Sequence, residues 1–161
     1  MFVLVLVCSS LVFAKGKKYS DIVVAVLDWN AVVAVSPYAK EGDKVVEELW
    51  EKEEARIMEL AKQLQAQLDT KPQQEKSTFD EQAKKQIADE IQKSSQLVQQ
   101  ETMKYVNLTI ETIRGVIEKY CKTNKIDLVI SKQSGVLYSA DVIDITDEII
   151  KEVKNLKVSN K

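Results

Sequence analysis

Residues 22–27, "IVVAVL", are all apolar and mostly β-branched, so the stretch 21–29 is predicted to form a buried strand. "SPYAKE" follows, with Ser36 as a helix N-cap and Pro37 at the first helical position, where a missing N–H costs nothing. From there the apolar positions Val46, Leu49, Ile57, Leu60, Leu64 and Leu68 fall on one helical stripe. Glu53 occupies the slot that three-and-four spacing would otherwise fill with an apolar residue. Pro72 ends this helix, and "TFDE" at 78–81 matches a capping box that opens a second. The second helix carries Phe79, Ala83, Ile87, Ile91, Val98, Tyr105, Thr109, Val116 and Tyr120, with Asn124 as a left-handed cap after it. At 1.5 Å per residue the two helices are roughly 50 Å and 67 Å long, far beyond ordinary globular helices.

Two long helices joined by a short polar turn make an antiparallel hairpin, and a hairpin returns the chain to the place it left. The closing stretch "DLVISKQSGVLYSADVIDIT" reads as strand, tight turn, strand and helix start, with Thr146 capping the last helix. It is predicted to pair with the strand at 21–29. The fold class is therefore α+β, a small β-rich body carrying a long antiparallel α-helical coiled-coil hairpin. The body covers 15–39 and 124–161, and the hairpin covers 40–123 with its tip near 70–78. The hairpin stripe is thin: Ser94 and Ser95 interrupt it, and eleven Gln lie between Leu60 and Tyr105. Its distal part should flex, and so small a body favours oligomerisation.

Composition changes this picture in three ways. Histidine is absent, which removes the usual general base and commonest metal ligand, and no nucleophile–base pair or glycine-rich phosphate loop takes its place. No enzyme activity, cofactor or metal is expected. The net charge of −2 offers no footprint for nucleic acid. Residues 1–14, "MFVLVLVCSSLVFA", read as a signal peptide cleaved after Ala14 and are too short to span a bilayer, so a soluble, exported chain is expected. Cleavage leaves Cys121 as the one thiol, either a packing residue or an intermolecular bridge.

"VVAVLDWNAVVAVSPYAKEGDKVVEEL", the polar hairpin, and "IDLVISKQSGVLYSADVIDITDEIIKEVK" together resemble the Skp/OmpH family of periplasmic chaperones. The resemblance implies a homotrimer whose bodies join in one core and whose hairpins project as tentacles. It also implies an ATP-independent holdase that encloses unfolded outer-membrane β-barrel proteins. On that basis Trp50, Ile57, Leu64, Phe79, Ile87 and Ile91 are the client-binding candidates, and Val24, Val26, Leu128, Ile130, Val136 and Tyr138 the oligomer-interface candidates. Trp50 is either a core anchor or an aromatic presented to the cavity, and Phe79 carries the same alternatives. Alternatives for the whole chain are a structural coiled-coil tether or spacer of the envelope and a prefoldin-like chaperone. The chain departs from strongly basic family members: residues 40–124 hold fourteen Lys and Arg against seventeen Asp and Glu, which argues against contact with a membrane surface. Glu47, Glu48, Glu51, Glu53 and Glu54 are read as a solvated helix face rather than a divalent-ion site.

Overall fold

A computed structural model of the chain describes residues 22–135 and 142–158. Strand β1 (Val24–Leu27) is followed by a short helix α1 (Trp29–Val35), then by α2 (Pro37–Thr70) and α3 (Gln73–Asn124). Strand β2 (Leu128–Ser131), a single 3-10 turn, strand β3 (Ile143–Asp144) and helix α4 (Thr146–Lys154) complete the order. The sheet has the order β2-β1-β3, and both outer strands run parallel to β1. The closing segment thus returns to the first strand on both of its edges.

The body holds less strand than the sequence predicts among the described residues, and the reasons are local. Asp28 accepts the N–H of Ala31 on Oδ1 at 3.0 Å, so Trp29 opens a helix instead of extending the strand. This backbone bond first, and the Gln133 side chain second, hold the Asp28 carboxyl below the usual carboxylate range. At the other end, Asp144 Oδ1 accepts both the N–H and the hydroxyl of Thr146 at 3.1 Å and 2.6 Å, and Thr146 is the first residue of α4 rather than its cap. Thr146 Oγ1 in turn accepts the Asp28 N–H at 3.0 Å. These bonds tie the ends of β1 and β3 together.

Alternation along β1 divides the sheet into two faces. Ala25 and Leu27 point into a core with Val32, Ile113, Ile145, Ile149 and Val153. Helices α1, α3 and α4 therefore meet on one face only. Cys121 packs half-buried at the margin of this core, where burial pushes its thiol up.

The hairpin reverses within two residues, Lys71 and Pro72, and α3 begins at Gln73. The expected capping box at Thr78 is not used. Pro72 itself occupies the N-cap position, and the Gln, Glu and Lys residues after it favour helix, so the second helix starts six residues earlier than the expected cap at Thr78 implies. Helix α3 then runs unbroken through Ser94 and Ser95. It ends one residue beyond the expected cap, where Lys125 takes the left-handed conformation at φ 56° and its N–H reaches Cys121 O. Ser36 does stand at the N-cap of α2, but its side chain makes no capping bond and its hydroxyl is buried without a partner.

Candidate functional site

The hairpin seam is built from three kinds of contact. At its root α2 and α3 approach closely, since a Cβ on Gly42 would stand 2.6 Å from Tyr105 Cβ. Only glycine fits this crossing. Farther out Glu53, expected on a solvated face, is 8% exposed and lies against Ser94 of α3. Ser94 Oγ donates to Glu53 Oε2 at 2.6 Å, and Arg56 Nε and Nη2 donate to the same oxygen at 3.0 Å and 2.9 Å. Arg56 Nη1 also donates to Glu90 Oε2 at 2.6 Å. The two apparent faults in the apolar stripe are thus each other's partners. The Ser94 hydroxyl first and Arg56 second hold the Glu53 carboxyl below its ordinary range. Toward the tip the seam becomes apolar again at buried Leu64, and Lys71 lies over the Phe79 ring at 5.4 Å.

Beside the root of the seam lies a groove of about 750 Å³ between α1, α2 and α3. Trp29 and Val33 close its body end, Val46 and Trp50 form the α2 wall, and Val106 and Ile110 form the α3 wall. Trp50 is 53% exposed, and Met103, Val106 and Ile110 are exposed as well. Among the client-binding candidates Trp50 and Ile91 are exposed, Ile57, Phe79 and Ile87 are half-buried, and Leu64 is buried. The groove brings in Trp29, Val106 and Ile110, which sequence reasoning did not select. Their signal was present: Met103, Val106 and Ile110 repeat at three and four residues, offset from the main stripe.

The opposite sheet face carries four of the interface candidates. Register pairs Val24 with Leu128 and Val26 with Ile130, so all four side chains share the face away from the core helices. Val26 is buried, Val24 and Ile130 are half-buried, and Leu128 is 49% exposed. Val136 and Tyr138 lie outside the described residues, as does the expected signal peptide. Among the described residues no group of three or more His, Cys, Asp or Glu could hold a metal ion, and no helix is long and apolar enough to cross a membrane.

This arrangement of a small parallel sheet at the foot of a long two-helix hairpin coincides with a family match. The model of the family described as "Outer membrane protein (OmpH-like)" covers residues 23–153, from the residue before β1 to the last turn of α4. The chain belongs to the OmpH-like family. No individual curated protein matches it. The match takes in both strands of the β1–β2 pair, the whole hairpin and α4, so the OmpH-like unit is body and hairpin together.

Proposed function

We propose that this OmpH-like chain is an ATP-independent holdase of the periplasm, which encloses unfolded outer-membrane β-barrel proteins and keeps them from aggregating. The observation that carries the reading is the exposed apolar flank of the hairpin, from Trp50 to Ile110, within a chain whose family match spans body and hairpin. An unfolded barrel strand presents alternating apolar side chains and unpaired backbone groups. A long surface offering many weak apolar and polar contacts holds such a chain without a deep pocket. Release needs no fuel, because each contact is weak and the folded barrel is the lower state.

Enclosure requires more than one hairpin, and the apolar sheet face of Val24, Val26, Leu128 and Ile130 is where we place a homotrimer contact. No catalytic step belongs to this function. The test is whether the purified protein, at stoichiometric amounts, keeps a urea-diluted outer-membrane β-barrel protein soluble as read by light scattering. A variant lacking residues 60–105, with a Gly-Ser segment long enough to join Glu59 to Val106, keeps the sheet and the body core but gives up the Gly42–Tyr105 crossing. It should retain the oligomer and lose protection. Full protection by the shortened chain would place binding in the body and refute the reading, and bridging of two envelope components without protection would favour a tether.

A further inference from the structure

The groove at the hairpin root has two chemically different walls. On α2, Asp43 and Glu47 line the groove, and Glu51 and Glu54 continue the row beyond its lining, at four, four and three residues along one side of the helix beside Trp50. All four are exposed, and among the described residues none takes part in an ion pair, whereas Lys44 is bound to Glu48 and Arg56 to Glu53 and Glu90. The α3 wall, made by Val98, Thr102, Tyr105, Val106, Thr109 and Ile110, carries no charged side chain, and the neighbouring Lys104 is paired with Glu101 at 2.6 Å. Lys40 is the one cation among the lining residues and stands toward the body end. Thr109, 5% exposed, also belongs to the lining, and its hydroxyl has no hydrogen-bond partner.

We infer that this groove selects, within an unfolded client, extended segments that combine aromatic or large apolar side chains with neighbouring Lys or Arg. This rests on the holdase reading and names the segment chemistry that the root of the hairpin takes. An aromatic side chain fills the space between Trp50 and the Val106–Ile110 wall. A flanking cation then meets the acidic row and the face of Trp50, which attracts cations through its ring quadrupole. An acidic segment meets the same row with like charge and is rejected. The groove is long and open rather than a closed pocket, which suits a chain in extended form.

Trp29 and Trp50 are the only tryptophans of the chain and both line the groove, so its occupancy is read directly by their emission. The experiment titrates the purified protein with three peptides of equal length, alternating Arg and Phe, Glu and Phe, or Arg and Ser. The Arg-Phe peptide should shift the emission and bind about tenfold more tightly than either of the others, the scale expected from two exposed charge contacts. In the triple variant Asp43→Lys, Glu47→Lys, Glu51→Lys the preference should invert toward the Glu-Phe peptide, with helix content unchanged. Equal affinity for the Arg-Phe and Glu-Phe peptides, or a preference that survives the charge reversal, overturns the inference. So does tryptophan emission that is already blue-shifted and depends on protein concentration without peptide, because a second copy of the chain then occupies the groove. The two proposals fail separately: loss of peptide preference with protection of barrel proteins intact sinks only the groove, and peptide preference without protection sinks only the holdase.

Discussion

Replacing Gly42 by alanine sets two effects of known size against each other. Helix propensity alone favours the change, since Ala is better than Gly in a helix interior by about 0.8–1.0 kcal/mol. The crossing opposes it. The new methyl would stand 2.6 Å from Tyr105 Cβ and 2.9 Å from Cγ, whereas carbon atoms rest at about 3.5–4.0 Å. The helices must therefore separate by about 1 Å at the root, and Cβ is too close to the α3 backbone to swing aside. Overpacking of this kind costs about 1–3 kcal/mol, so the net effect is a loss of about 0–2 kcal/mol. For a chain of this length that lowers Tm by roughly 2–4 °C per kcal/mol. In a Tyr105→Gly background the opposing atoms are gone, and the same substitution should stabilise by about 1 kcal/mol. Urea unfolding followed by helical circular dichroism measures both. A gain of stability for Gly42→Ala in the otherwise unchanged chain, or the same sign in both backgrounds, would refute the close crossing.

Three further outcomes are expected. Folding lowers the Glu53 carboxyl through Ser94 and then Arg56, and the Glu90 carboxyl through Lys93 and then Arg56. Their contribution is complete above the ordinary glutamate value of about 4.3 and is lost as pH falls through the lower folded values. A Glu53→Gln variant should show a shallower loss of stability over that acid range, and an unchanged acid profile would count against the buried layer. Ile149→Ala removes a fully buried core side chain between α4 and the sheet and should cost about 2–5 kcal/mol in denaturant unfolding. Ile130→Asp places a charge on the sheet face assigned to the oligomer, and sedimentation should show dissociation with the hairpin's helical signal retained.

The long elements were legible because periodicity is strong where it runs over many turns: both hairpin helices and the return of β2 to β1 follow from the stripe and the apolar runs. What escaped was decided by pairing between helices. Glu53 and Ser94 each read as a flaw in its own stripe, since a single helix pattern carries no information about which residue faces it across 41 positions of chain. The start of α3 was misplaced for a related reason. "TFDE" is a good cap locally, yet a longer hairpin puts Gln73 to Ser77 in helix and extends the contact with α2. In the groove, Trp50 was singled out on its own, but the wall facing it depends on the helix crossing angle, and a sequence does not specify that. The early end of β1 had a legible cause in Asp28, a capping residue placed just after the apolar run.

Helix α3 belongs to two parts of the molecule at once, lining the hairpin at Ser94 and Tyr105 and entering the body core at Ile113. That continuity bears on how the chain assembles itself. Val23 and Asp127, which join β1 to β2, are 104 residues apart in sequence, and closing so long a loop directly costs about 2 kcal/mol more in chain entropy than closing one of ten residues. A hairpin that zips from the two-residue reversal at Lys71 and Pro72 closes only short loops on the way. By the time Gly42 meets Tyr105, the rigid end of α3 already holds Ile113 beside the place where β1 must dock. The hairpin is then the splint on which its own sheet is set, and substitutions near the tip should slow formation of a body they never touch.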